Sequence, residues 1–398
     1  MKLRDNQVEP VDKGVDYLKS TKPPSLIIAP TAFGKSVVIS TIAHRLQEPT
    51  LVLQPSKELL EQNLSKLRAM GGDAKVYSAS LKTKEIGDIT YATLGSIKST
   101  GKDFKGYKMI IDEADRYPRT MDSMLGKFLR DSEIKQVLGL TATPLKLQTN
   151  SFMMQSYSLL KFLTARGKTP AFYKDIIHIT QIQEMVEKGY WAKLIYEQHD
   201  FSSDGLVYNS TQAEFTDESM RNAYDDQGIE DKIVRRVAAS NRKSILIFVP
   251  SVIDAMMLEV RIPGSKAVWG NMDVKERTAA INGFKDGSIR VIINVNILSV
   301  GFDHPALDTI ICGRPTASLS WYYQALGRGT RIHPDKLSCL IIDFSGNVNR
   351  FGPIDKLYYA KEKLSWKLFG EGGKLLTGIP MHEIGQHWQE KPSLKLSK

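Results

Sequence analysis

The sequence predicts an α/β protein made of two tandem parallel-sheet lobes with a short C-terminal appendage. Three observations lead there. Short β-branched apolar runs alternate with amphipathic stretches, the alternation restarts past the middle of the chain, and the last segment loses it.

In the first half the runs are 26–29, 50–53, 89–92, 109–112 and 137–141, each bounded by turn residues as strands buried on both faces would be. Between the first two, Val37, Val38, Thr41, Ile42, Arg45 and Leu46 recur at helical spacing. Leu59, Leu60, Asn63, Leu64 and Leu67 repeat that spacing after the second run. The pattern resumes with 244–249, 267–269, 291–295, 309–312 and 339–344. The predicted boundaries are 1–165 for the first lobe, 166–184 for a linker opening on Arg166-Gly167-Lys168-Thr169-Pro170, and 185–345 for the second lobe. The appendage, 346–398, carries Trp366, Phe369 and Trp388 among nine Lys/Arg and five Asp/Glu. No short-period repeat is present, which excludes a solenoid.

Composition sets outer limits. At 398 residues, 42% hydrophobic and 25% charged, the chain suits a soluble protein of two or three domains. No run has the apolar length that spans a bilayer, and Met1-Lys2-Leu3-Arg4-Asp5-Asn6-Gln7 lacks the apolar core of a signal peptide. A cytoplasmic protein without membrane contact is expected. Cys312 and Cys339 match no metal-ligand spacing and read as buried strand residues in a reducing compartment. The net charge of +10 suits a polyanionic partner, because bound Lys and Arg release counterions from a phosphate backbone. A merely basic soluble protein has the same charge.

The run Ala29-Pro30-Thr31-Ala32-Phe33-Gly34-Lys35-Ser36 follows an apolar strand and opens a helix, the context a phosphate-binding loop requires. Such a loop turns backbone N–H groups toward phosphate oxygens at a helix N-terminus. Lys35 is expected at the β- and γ-phosphates and Ser36 at Mg²⁺, with Thr31 and Gly34 completing the cradle. Ala29 and Ala32 stand where glycines are frequent, and both are small enough for phosphate approach.

Ile110-Ile111-Asp112-Glu113-Ala114-Asp115 ends another apolar run. Ligands gather at the carboxyl ends of parallel strands, so Asp112 is expected beside the loop. One carboxylate holds Mg²⁺ through water while its neighbour, Glu113, orients the attacking water.

In order along the chain, the motifs resemble those of superfamily-two helicases. The resemblance implies two RecA-like lobes with ATP and Mg²⁺ handled between them. Arg4 and Gln7 resemble the adenine-reading Q motif, and Gln54-Pro55-Ser56-Lys57-Glu58-Leu59 resembles motif Ia, followed by Thr93. Leu140-Thr141-Ala142-Thr143-Pro144 is similar to motif III, which implies that Thr141 and Thr143 couple hydrolysis to strand grip. Phe248-Val249-Pro250-Ser251 resembles motif IV, and Asn294 through Pro305, with Gly301 and Asp303, resembles motif V. Gln324-Ala325-Leu326-Gly327-Arg328-Gly329-Thr330-Arg331 matches motif VI. The resemblance assigns Pro55, Ser56, Lys57, Thr93, Pro250, Ser251 and Asn294 to nucleic acid, Gly301 and Asp303 to nucleotide, and Gln324, Arg328 and Arg331 to the γ-phosphate. An arginine supplied across a cleft accelerates such hydrolysis by roughly 10³–10⁵.

Asp112 to Asp115 spell the letters of the DEAD-box RNA helicases, but motif III begins with Thr141 rather than serine and motif VI with Gln324 rather than histidine. Glu187-Lys188-Gly189-Tyr190, Ser299-Val300-Gly301-Phe302-Asp303 and Ile341-Ile342-Asp343-Phe344-Ser345-Gly346-Asn347 are more similar to RadD-type and phage branch-migration DNA helicases. The C-terminal part lacks the cysteine cluster of RadD-type proteins, which favours the compact phage-like version. This implies a monomeric ATP-dependent helicase acting on branched or forked DNA, in the host cytoplasm if phage-encoded. An RNA helicase, or the motor of a restriction-type complex without its own nuclease, remains as an alternative. Residues 200–210 read equally as a strand-separating hairpin or a solvent loop. Trp269 reads as a core or rim aromatic, and Tyr190-Trp191 as packing between lobes.

Overall fold

The two series of apolar runs pair into two separate sheets in the computed structural model. The structure describes residues 2–117, 120, 122–152, 155–165, 171–298, 302–363 and 365–384.

The first series gives β1 (Ser25–Ile28), β2 (Thr50–Gln54), β3 (Lys75–Ser78), β4 (Thr83–Lys84), β5 (Ile89–Thr93), β6 (Lys108–Ile111) and β7 (Val137–Thr141). A hairpin of β8 (Leu145–Phe152) and β9 (Gln155–Phe162) follows, and then β10 (Asp175–Ile179). Among the described residues the sheet order is β10-β1-β7-β6-β2-β5-β3-β4, parallel throughout except for the β3–β4 pair. Its central strands are buried on both faces, as their unbroken apolar runs require. Leu51, Leu53, Met109, Ile111, Phe104 and Phe128 fill the core on one side. Three helices matter to the site: α1 (Asp5–Lys19), α2 (Lys35–Leu46) and α3 (Lys57–Arg68). Ser56 starts α3 by accepting a hydrogen bond from the Leu59 N–H, and Leu60, Asn63, Leu64 and Leu67 form its buried stripe.

The second series gives β11 (Lys193–Gln198), β12 (Ile245–Phe248), β13 (Ser265–Trp269), β14 (Val291–Val295), β15 (Thr309–Cys312) and β16 (Ser338–Asp343). These form a parallel sheet in the order β11-β16-β15-β12-β14-β13. Ile245, Ile247, Ile293, Ile311 and Phe344 anchor its core, with Trp269 half-buried against it. Cys312 and Cys339 are buried strand residues, as expected. The start of the appendage, through Ile384, contains an antiparallel pair, β17 (Tyr358–Glu362) and β18 (Ser365–Phe369), with Leu368, Leu376 and Met381 buried. Trp388 lies outside the described residues.

The division of the chain differs from the expected one. The chain divides into Met1–Lys146 with Phe162–Met185, and Leu147–Lys161 with Val186–Lys398, rather than at a linker 166–184. Within that stretch Asp175–Ile179 is the edge strand of the first sheet, parallel to β1 with Ser25 opposite Asp175 and Ile28 opposite Ile179, and the Lys174 and Thr180 N–H groups donate to the Pro24 and Ile28 carbonyls. The Arg166-Gly167-Lys168-Thr169-Pro170 segment lies outside the described residues. Of residues 200–210, the last few turn back antiparallel on 214–216: the Asn209 N–H donates to the Glu214 carbonyl and the Thr216 N–H to the Val207 carbonyl, both at 2.8 Å, and Tyr208 and Phe215 pack with Leu206 and Met220. Trp191 is buried, its ring centroid 6.5 Å from that of Tyr323. No helix among the described residues is long and apolar enough to cross a membrane.

Candidate nucleotide and nucleic-acid site

Because its central strands run parallel, the first sheet collects its turns at one edge. The loop after β1, Thr141 to Thr143 after β7, Asp112 after β6, Pro55 after β2 and Thr93 after β5 all leave the carboxyl ends of neighbouring strands.

The loop 29–36 makes its turn with two left-handed residues, Ala32 (φ 57°) and Gly34 (φ 91°). A side chain at Gly34 would be strained by that φ and would place its Cβ 2.6 Å from Nε2 of Gln7. Lys35 then opens α2, whose free N–H groups and dipole favour an anion. The Lys35 ammonium lies 3.3 Å from Oε1 of Glu113.

Gln7 is buried on the first turn of α1 and clamps this loop from behind. Its Nε2 donates to the Phe33 carbonyl at 2.6 Å, while its Oε1 accepts from the Arg4 N–H at 2.9 Å. The Arg4 guanidinium donates to the Ala32 carbonyl at 3.4 Å. The Q-motif pair is thereby attached to the phosphate loop's backbone.

Asp112 is almost fully buried at the end of β6. Its Oδ2 accepts from the Asn63 amide at 3.0 Å and its Oδ1 from the Glu113 N–H at 3.0 Å. Burial, reinforced by the charge of Glu113, pushes the Asp112 carboxyl well above the carboxylate range, against the pull of Lys35 and Asn63. Glu113 sits at φ 47°, an uncommon backbone state for a residue other than glycine, and its Oε2 is buried with no partner.

Two residues of this network were not singled out from the sequence. Asn63 read only as part of a helical face. Asp115 proves to be the hub of motif III: the Thr141 hydroxyl donates to its Oδ1 at 2.5 Å and the Thr143 hydroxyl to its Oδ2 at 2.8 Å. Burial, then Glu113, raises the Asp115 carboxyl, and both threonines oppose that.

Pro55, Ser56 and Lys57 stay partly accessible at the start of α3, and Thr93 is the register partner of Gln54 beside them. The Thr93 hydroxyl pairs with that of Ser96 at 2.8 Å.

The second unit presents its motifs in the same manner. Ser251 caps the helix Val252–Arg261 and its hydroxyl is engaged with Asp254, while Pro250 is buried. Asn294, assigned to nucleic acid from the sequence, is completely buried; its Oδ1 caps the Ile297 and Leu298 N–H groups, so it shapes the motif V loop from inside. Gly301 lies outside the described residues. Asp303 pairs with Arg331, Nε to Oδ1 at 2.6 Å, and Arg328 donates to the Phe302 carbonyl at 2.8 Å. Motifs V and VI are thus joined through both arginines, and burial pushes the Arg331 guanidinium down. Gln324 is half-buried on Leu319–Leu326, one turn before Arg328. Gly329 is required there: a Cβ would lie 2.5 Å from the Cys339 sulfur.

The first unit's residues suit a magnesium-bound triphosphate. An ammonium at a helix N-terminus meets a pair of adjacent carboxylates, Ser36 follows on the first turn of that helix, and Glu113 keeps a buried oxygen without a partner. Mg²⁺ would be held by Ser36 and Asp112 together with phosphate oxygens, and it would neutralise charge developing on them. Among the described residues no cluster of three or more His, Cys, Asp or Glu could hold a metal by itself.

Comparison with known proteins agrees with this geometry. Residues 1–146 match the family model "Type III restriction enzyme, res subunit", and residues 229–333 match "Helicase conserved C-terminal domain". A Saccharomyces cerevisiae protein named as an ATP-dependent helicase, IRC3, is 25% identical over 86% of this chain and 51% of its own length. The chain therefore spans about half of that relative. The 51.5 kDa protein of a Lactococcus phage is 25% identical over 87% of this chain and 70% of its own. Among solved structures, the Type ISP restriction-modification enzyme LlaBIII bound to DNA matches at TM-score 0.60 and 16% identity, over 87% of this chain and 28% of that one. An HsdR subunit fragment of a type I restriction enzyme from Vibrio vulnificus matches at 0.61 and 17%, over 87% and 68%. S. cerevisiae Dbp5 bound to RNA matches at 0.53 and 17%, over 85% and 83%. The shared fold is two RecA-like lobes.

Proposed function

We propose that this chain is an ATP-hydrolysing motor of the superfamily-two helicase kind that converts hydrolysis into movement along DNA, remodelling branched or forked substrates as a monomer. One observation carries this reading. The phosphate loop, the Asp112–Glu113 pair and the Thr141–Asp115–Thr143 link share one sheet edge with Pro55, Ser56, Lys57 and Thr93. A change at the γ-phosphate is therefore a few side chains away from the residues proposed to grip a strand.

In the proposed cycle Lys35 and Ser36 bind the triphosphate, Asp112 holds Mg²⁺, and Glu113 orients and deprotonates the attacking water. Arg328 and Arg331, with Gln324, stabilise the transition-state charge from the second unit. Asp115 passes the state of the acid pair to Thr141 and Thr143. Contacts to the strand are mainly to phosphates, so little sequence preference is expected.

DNA is favoured over RNA by Thr141 in motif III and Gln324 in motif VI. A second reading, the motor of a restriction-type complex that depends on a partner for cleavage, is favoured by the match of residues 1–146 and by the two restriction-enzyme neighbours. ATPase stimulation and strand displacement, compared on forked DNA, four-way DNA junctions and duplex RNA, test the proposal. Stimulation by RNA alone would overturn it. Translocation along DNA without strand displacement would favour the restriction-type motor.

A further inference from the structure

The second unit contains a cavity of about 290 Å³ to which the helicase-like runs contribute Gly346 alone. Its walls come from Ser203, Leu206, Tyr208 and Phe215 of the loop after β11, from Gly346, Asn349 and Arg350 after β16, and from His382 and Ile384 of the appendage. The volume is at the small end of the range for ligand pockets, roughly 300 Å³ and upward.

Two features of the lining point to one ligand chemistry. Tyr208 and Phe215 set their rings 4.8 Å apart, a half-buried aromatic wall beside a fully buried one. Arg350 is 8% exposed and lies over the Phe215 ring at 4.8 Å. Its guanidinium is held by neutral oxygens, the Thr316 carbonyl at 2.8 Å and the Ser203 hydroxyl at 3.4 Å. The carboxylates that act on it, Glu214 and Asp343, spend their oxygens on Ala317, Thr316 and Arg314, and on Ser345 and Val348. A buried cation without a close counter-charge is costly unless an anion joins it. The half-buried Tyr208 ring, backed by Phe215 at a tilt of 48° and set beside such a cation, suits a planar base carrying a phosphate.

Position narrows the source. The cavity stands at the carboxyl ends of β11 and β16, the same sheet edge from which motifs IV and V emerge after β12 and β14. From β14 to β16 is three strand spacings, about 14 Å, within reach of a strand crossing those motifs.

We propose that this cavity takes one unstacked nucleotide of the bound strand, its base against Tyr208 and Phe215 and its phosphate toward Arg350. The proposal rests on the nucleic-acid reading above and adds a site to it. Extruding a base at this point would keep a freshly separated strand from re-pairing.

The probes are a single-stranded oligodeoxynucleotide containing 2-aminopurine and free 2-aminopurine deoxyriboside monophosphate, measured without ATP against the full chain. Tyr208→Leu removes the ring, and Tyr208→Phe keeps it while deleting the hydroxyl that donates to the Met381 carbonyl at 3.3 Å. Expected results are oligonucleotide affinity lowered about 5- to 150-fold by Tyr208→Leu, the span of one base stack, and near wild type in Tyr208→Phe. ATP hydrolysis without DNA stays unchanged in both. An abasic site scanned through the oligonucleotide should reproduce the loss at one position, and Tyr208→Leu should add nothing there. If the free nucleotide alone shows Tyr208-dependent binding, the cavity takes a nucleotide but its source is the solvent, which overturns the strand assignment. Equal loss in both tyrosine variants, or a flat abasic scan, overturns the site altogether. Wild type that binds the oligonucleotide without DNA-stimulated hydrolysis instead refutes the motor reading and leaves this test standing.

Discussion

The Thr141 hydroxyl donates to Oδ1 of Asp115 across 26 positions of sequence, at 2.5 Å, and so ties the end of β7 to the acidic turn after β6. Thr143 adds the second hydroxyl at 2.8 Å. Valine at both positions keeps the shape and removes both donors, leaving Asp115 buried without them at a cost of about 1–3 kcal/mol. The expected outcome is ATP hydrolysis retained while strand displacement per ATP falls at least about tenfold, the equivalent of roughly 1.4 kcal/mol in coupling. Serine at both positions should restore it. Displacement and hydrolysis that fall in parallel would show that the pair has no coupling role.

Gln7→Ala removes the donor to the Phe33 carbonyl and loosens the phosphate loop. The KM for ATP should rise about tenfold, in the range that one unmet buried hydrogen bond produces, with a smaller change in kcat. A variant with unchanged KM would mean that the bond is incidental to nucleotide binding.

Asn63→Leu deletes the amide that holds Oδ2 of Asp112. Residues that orient a metal-binding carboxylate commonly govern 10- to 100-fold in metal affinity or activity, so the Mg²⁺ concentration for half-maximal ATPase should rise about tenfold. Asn63→Asp, which adds a like charge beside Asp112, should raise it further. Magnesium titrations of the three proteins decide the matter, and superimposable curves would remove Asn63 from the site.

Lys35→Ala should abolish hydrolysis by removing the cation at the phosphates. Arg328→Ala should differ from it, slowing kcat by about 10³–10⁵ while nucleotide binding stays near wild type. Single-turnover rates beside fluorescent-nucleotide titrations separate the two. An Arg328→Ala rate equal to wild type would refute hydrolysis assisted by that arginine.

His304 is buried, hydrogen-bonded through Nε2 to the Ser244 hydroxyl at 2.9 Å. Burial, followed by Lys285, Lys336 and His333, pushes its pKa down to about 4 from 6.5, so the native state holds it neutral where an unfolded chain would protonate it. The folded pKa is the depressed one, so its contribution to stability is full above pH 6.5 and declines as pH falls toward 4. Urea midpoints should fall over that window in the wild type and less steeply in His304→Gln. Identical slopes would show that other groups govern acid sensitivity.

What the sequence made legible was chemistry at strand ends. Asp112 and Thr141 stand where an apolar run breaks and Lys35 closes the loop that follows one, and an apolar run is local information. Asn63 was invisible because its helical spacing is that of any inward-facing residue, and only the fold brings it to Asp112. Asp115 could be read as a letter of the motif but not as a hub, since its partners lie beyond another helix. Asn294 was assigned by its place in motif V, and no local pattern announces that its Oδ1 caps its own loop. The Glu214 bonds to Thr316 and Ala317 span more than a hundred positions, and no local pattern announces them.

The edge strand β10 has a consequence for how this chain can be divided. It flanks β1, the strand that launches the phosphate loop, yet it comes from residues 175–179, beyond the excursion Leu147–Lys161 that belongs to the other unit. A fragment ending at 146, where the family match ends, would leave β1 with a bare row of N–H and C=O groups, an open template for another chain. The nucleotide-binding half is thus not a separable cassette. Its last strand is delivered only after the chain has visited the other half, so neither unit can be inherited or exchanged by a single crossover without unzipping the strand beside the active site.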